Sequence, residues 1–188
     1  MSWPFLYVAG DRLSEVELRC ARLDGDVVEV GDAYMPADAV ETRELRAASL
    51  RTYVDDGIAV THESAAWVHG ARDAPPRRHT VQRRSPTRRG AAIDGRVRFR
   101  DQELPADAAT LIAGVWVTTP ARTLADLVRA LHSGDDVADE VDALLASRPG
   151  IAQEAVAALE RAGSVHHKRP ALVFLRERVA WGEEVRTT

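Results

Sequence analysis

Residues 114–127, Gly114-Val115-Trp116-Val117-Thr118-Thr119-Pro120-Ala121-Arg122-Thr123-Leu124-Ala125-Asp126-Leu127, read as a strand that runs directly into a capped helix. Leu111 to Thr118 is an apolar stretch rich in β-formers, the composition of a buried strand. Thr119 offers a side-chain oxygen to the first helical turn, and Pro120 occupies the first helical position, where its missing N–H leaves no bond unmade. Leu124, Leu127, Val128 and Leu131 then fall on one face. Arg122 and Asp126 stand four residues apart and can pair. A helix start of this kind can hold an anion, and the same residues suit a junction between packed helices equally well.

Upstream, Ile58 to Val60 is a brief apolar step into Thr61-His62-Glu63-Ser64-Ala65-Ala66-Trp67-Val68-His69-Gly70, whose small residues favour a tightly packed helix closed by Gly70. Its polar residues invite a search for chemistry. His62 and His69 are seven apart, whereas a zincin needs histidines at i and i+4. Ser64 sits beside His62 and Glu63, but adjacent helical residues point in different directions and no Gly-x-Ser-x-Gly elbow is present. No glycine-rich phosphate loop occurs, and neither a metal nor another cofactor is expected.

Between these segments the charge changes sign. The chain carries −4 overall, divided as −7 over residues 1–71, +8 over 72–100 and −5 over 101–188. All ten basic residues of the middle block are arginines. Within it, His79 to Arg84 and Arg96 to Asp101 read as strands separated by a Ser85–Gly95 loop. Arg96-Val97-Arg98-Phe99-Arg100 alternates, so three cations about 7 Å apart are expected on one face of a strand. Guanidinium forks pair with phosphates and carboxylates alike, which marks Arg77, Arg78, Arg83, Arg84, Arg88, Arg89, Arg96, Arg98 and Arg100 as a docking face for nucleic acid or an acidic protein. A solvated, charge-compensating loop is the plainer reading of the same residues.

Further out, Leu13, Val16, Cys20 and Leu23 form a helical stripe, and Val27–Val30 and Ala33–Met35 suggest a hairpin across Gly31-Asp32. Val40, Ala47, Leu50 and Val54 place a second helix over about 37–54. Helices are expected at about 135–146, 151–162 and 169–179, punctuated by Gly134, Pro149-Gly150 and Gly163. His166-His167-Lys168-Arg169 reads as a solvated turn. The single cysteine, Cys20, excludes an internal disulfide and agrees with a reducing, cytoplasmic setting. No stretch approaches the length of a membrane span, and no signal segment follows Met1.

The Thr61–Gly70 segment resembles the S-H-x-S-A-A-x-x-H-G motif of the AbiEi family of antitoxin transcriptional regulators. Gly114–Leu127 is similar to that family's G-x-x-V-T-T-P-x-R-T-L-x-D-L motif, and the resemblance runs from about Leu13 to Val179. It implies a mixed α+β fold. A short helix–hairpin piece over residues 1–36, like a truncated winged helix, would precede an antitoxin domain over 37–188 with a small sheet and C-terminal helices. It also implies a nucleotidyltransferase toxin as partner, promoter DNA as a second one, and no catalytic residue. The N-terminal piece has one helix where a winged helix has three. Its hairpin carries Asp24, Asp26, Glu29 and Asp32, which repel phosphates, so a DNA contact is expected at the arginines instead. A stand-alone nucleic-acid-binding module without a toxin is the alternative.

Overall fold

The computed structural model describes residues 5–85 and 95–187, with side chains placed through Trp181. The fold is mixed α+β, with seven helices and two sheets among the described residues. Arg88 and Arg89 lie outside them.

Helix α1 (Glu15–Asp24) starts with a capping box: Ser14 Oγ accepts from the Glu17 N–H, and the Glu17 carboxylate accepts from the Ser14 N–H at 2.7 Å. Gly25, at φ 84°, closes it. The expected stripe is not its buried face. Leu18 is fully buried, whereas Val16, Cys20 and Leu23 are exposed. Leu18 lies about 200° around the helix from Val16, so a single leucine anchors α1 from the side opposite the stripe.

Strands β1 (Val27–Val30) and β2 (Ala33–Pro36) form the expected antiparallel hairpin across Gly31-Asp32. Gly31 has φ 57° and is tightly enclosed: an added Cβ would meet Ser49 Oγ at 2.5 Å and the Trp67 ring at 3.1 Å. The hairpin therefore lies directly on the helices that follow. Helix α2 (Arg43–Ser49) is much shorter than the expected 37–54. Thr42 caps it by accepting from the Leu45 N–H, which defers the start until after Val40, and Val40 is exposed instead of sharing the buried face.

The main sheet has the order β5-β4-β3-β7-β6. Its strands are β3 (Ile58–Val60), β4 (His79–Arg83), β5 (Val97–Arg100), β6 (Ala109–Ile112) and β7 (Val115–Thr118). β3 pairs antiparallel with β4 and parallel with β7, while β4 and β5 run parallel. The single strand expected over 111–118 is in fact the hairpin β6–β7, reversed at Ala113-Gly114, where both residues have positive φ (49° and 81°). That is the type I′ pattern, with alanine at a position that usually takes Asn, Asp or Gly.

Helix α3 (His62–Val68) lies between two apolar clusters. Trp67 joins Val60, Val117, Leu45, Leu50 and the hairpin residues Val30 and Met35 on one side. Ala66 joins the helical cluster on the other, built by α4 (Pro120–Leu131), α5 (Ala138–Ser147), α6 (Ile151–Arg161) and α7 (Lys168–Thr187). α4 packs against α3, α5, α6 and α7 and is buried on nearly every side. α7 runs well past the expected end at Val179. No helix among the described residues is long and apolar enough to cross a membrane.

Candidate partner-binding face and the polar core behind it

The two motifs meet at the parallel pairing of β3 with β7, where Ala59 stands opposite Trp116 and Val60 opposite Val117. Helices α3 and α4 leave the same end of this strand pair and bring their polar residues together. His69 Nε2 donates to the Thr118 carbonyl oxygen at 2.7 Å. Thr118 Oγ1 and Thr123 Oγ1 are 2.8 Å apart. Ser64 Oγ accepts from the Thr80 N–H at 2.9 Å and lies 3.3 Å from His79 Nδ1. Ser64 thus pairs with His79, fifteen residues away, and not with adjacent His62. Ser64 is fully buried, so this pair ties β4 to α3.

Asp126 is the centre of the buried charge. Arg122 Nε donates to Oδ2 at 2.8 Å and Arg129 Nη1 to Oδ1 at 3.0 Å, while Arg129 Nε donates to the His166 carbonyl oxygen. Burial would raise the Asp126 carboxyl, but the charge and hydrogen bond of Arg122, the Arg129 charge and, once its ring is protonated in acid, His62 outweigh it and hold it below the ordinary carboxylate range. His62, at φ 52°, bonds to the Thr61 hydroxyl. Burial pushes its imidazole down to about 4, so the ring is neutral at pH 7. Burial also lowers His69 and His79. His62 and His69 share no ligand position, and no group of three or more His, Cys, Asp or Glu residues that could hold a metal occurs among the described residues.

The arginine block divides. Arg83 is held by Asp101 at 3.2 Å, by Glu103 at 3.7 Å and by the Ser85 carbonyl oxygen. Arg84 stacks 3.5 Å above the Trp116 ring and donates to the Asp56 carbonyl oxygen. Arg72 pairs with Glu140 at 3.0 Å. Arg96 precedes β5 and reaches Asp32 of the β1–β2 turn at 3.5 Å, with its guanidinium over Tyr53. The expected three-rung ladder is therefore broken at Arg96. Arg100 is half-buried, and Arg98 stands exposed on β5, the edge strand. Arg77 and Arg78 are exposed just before β4, with Arg78 donating to the Val97 carbonyl oxygen.

Parallel pairing sets His79 opposite Val97 and Thr80 opposite Arg98. Arg77, Arg78 and Arg98 consequently gather near one end of the sheet edge, and Arg77 and Arg98 have no ion pair among the described residues. Sequence reasoning missed the opposite group: Gln82 Nε2 and the Nε atoms of Arg84 and Arg100 are buried without an acceptor. The alternation of Gln82 in β4 with Arg84 just beyond its end was the available signal, since a two-residue spacing sets both on one face of an extended chain.

The family model for the AbiEi antitoxin C-terminal domain matches residues 58–147. The crystal structure of the RV2827C protein from Mycobacterium tuberculosis is similar over 90% of this chain and 76% of that one, at 21% identity and a TM-score of 0.35. No curated protein matches.

Proposed function

We propose, for a chain whose residues 58–147 belong to the AbiEi antitoxin C-terminal domain family, that it is a non-catalytic antitoxin and transcriptional regulator acting in the cytoplasm. Its protein partner is a nucleotidyltransferase toxin, and its second ligand is its own promoter DNA. The family match over both motifs is the observation that carries the antitoxin part. Exposure of Arg77, Arg78 and Arg98 near one end of the sheet supports the location of the contact there. Guanidinium groups on exposed positions keep their forks available for phosphate or carboxylate.

Residues 1–36 keep the helix-then-hairpin order of a winged helix, and we assign residues 37–188 to the antitoxin domain. The hairpin is a poor phosphate ligand. Glu29 pairs with Arg22, Asp32 pairs with Arg96, and the remaining acids Asp24 and Asp26 are exposed. The DNA contact therefore belongs to the arginine end of the sheet and not to the hairpin.

Co-expression tests the reading directly. Cells carrying the nucleotidyltransferase encoded beside this gene should recover growth when the full chain is induced, and the purified chain should retard its own upstream DNA in a gel. Failure of both sinks the proposal. Retardation without protection selects the stand-alone nucleic-acid-binding module instead.

A further inference from the structure

Helix α1 presents most of its apolar surface to solvent. Val16 is 70% and Leu23 83% exposed, and Cys20 between them is exposed as well. At about 100° per residue the three fall within an arc of about 60°, so they form one stripe and not scattered side chains. The opposite side of the helix is the one held by the body of the protein. Leu18 is fully buried there, and Arg22 pairs with Glu29 of β1, the strand α1 packs against, at 3.2 Å. The stripe consequently looks away from the hairpin, where a further helix can lie along it.

Val16 and Leu23 are one heptad apart with Cys20 between them, the spacing of a coiled-coil seam. The flanks of that seam differ in sign. Arg19 borders it on one side, and Glu17 and Asp24 border it on the other. Such a helix matches a second copy of itself in one orientation only. In a parallel pair the flank position of Arg19 faces the position five residues on in the other helix, which is Asp24, and twofold symmetry repeats the contact. An antiparallel pair turns each flank toward its own kind, arginine to arginine and acid to acid. Arg19 already meets Glu15 at 2.5 Å, but both side chains are exposed and the guanidinium keeps further donors, while Asp24 has no ion pair among the described residues.

We propose that the chain forms a parallel twofold dimer through α1, with Val16, Cys20 and Leu23 of the two copies along the seam and Arg19 of each copy paired with Asp24 of the other. A foreign helix would need the complementary pattern of charge, which a second copy carries already. Three turns of helix bury little surface, so the dimer belongs with the small, reversible interfaces. It does not depend on the antitoxin reading, and it sets two copies of the exposed Arg77, Arg78 and Arg98 on one particle.

Sedimentation of the full chain across the micromolar range tests the dimer. The mass should rise with concentration from 20.6 kDa toward twice that value. Leu23→Glu, at a side chain that packs against nothing in the single copy, should leave the circular dichroism unchanged and weaken self-association at least about tenfold. Arg19→Glu should weaken it roughly fivefold, and adding Asp24→Arg to that variant should restore it, because the swap rebuilds the pair only between parallel helices. Cys20 is the single cysteine, so a covalent dimer formed by a short bismaleimide reports the two seams side by side. A chain that stays monomeric throughout overturns the proposal, as does a dimer that Leu23→Glu leaves intact. A dimer without rescue by the charge swap and without the Cys20 cross-link overturns the parallel pairing. If the chain is monomeric but Leu23→Glu abolishes binding of the nucleotidyltransferase, the stripe belongs to that partner and not to a second copy.

Discussion

Asp126 is 1% exposed and accepts Arg122 on one oxygen and Arg129 on the other. Asp126→Asn would leave both guanidinium groups buried against a neutral amide. The expected loss is about 3–5 kcal/mol in urea unfolding, the cost of breaking a buried pair from one side. His62 makes a separate, pH-dependent contribution. Its folded pKa of about 4 lies below the ordinary 6.5, so the unfolded chain binds the proton more readily. Its contribution is therefore complete above about pH 6.5 and is lost as pH falls toward 4. Unfolding free energy should drop by about 1–3 kcal/mol between pH 7 and pH 4.5. His62→Asn, which tolerates the positive φ, should flatten that slope; an unchanged slope would place the proton uptake elsewhere. The polar residues themselves were legible in the sequence, including the Arg122–Asp126 pair at i, i+4. Their long-range partners were not, because Arg129 joining the same carboxylate and Ser64 finding His79 depend on packing that spacing does not encode.

The hairpin β6–β7 turns on Ala113, whose φ of 49° forces a Cβ into the left-handed region. That conformation costs an L-residue about 1–2 kcal/mol, so Ala113→Gly should stabilise the protein by about 0.5–1 kcal/mol despite the added freedom of the unfolded chain. A rise in the urea midpoint with unchanged slope is the outcome to look for. Without Asn, Asp or Gly at the first turn position, Leu111 to Thr118 carried no hairpin signal and read as one strand. Helix α1 teaches a similar lesson. Its period was visible, but an apolar stripe says where a helix has one chemistry, not which side has a neighbour. Leu18 found the neighbour, and Val16, Cys20 and Leu23 face solvent.

Across the whole molecule, the net positive block is partly neutralised from within. Acids from three separate regions, Asp32, Asp101 with Glu103, and Glu140, take up Arg96, Arg83 and Arg72. The cations left exposed should govern any nucleic-acid binding. Replacing both Arg77 and Arg98 with Glu should weaken it steeply and reduce the salt slope by about 2, near 0.9 for each phosphate no longer neutralised. A slope unchanged in the double variant would move the interface elsewhere. The order of elements, the sheet-forming segments and the C-terminal helices were readable from periodicity and punctuation. Strand order was not, since composition says nothing about which strands are neighbours or whether they run parallel. The pairing of β3 with β7 joins residues 59–60 to 116–117, and it sets a schedule for the nascent chain. Until Val117 has left the ribosome, β3 lacks its parallel neighbour and shows an open edge to other chains. Closing a loop of this length precedes any reward from the pairing it makes. A product truncated before Val115 should consequently aggregate instead of forming a smaller domain, because the strand that completes the sheet's middle arrives among the last.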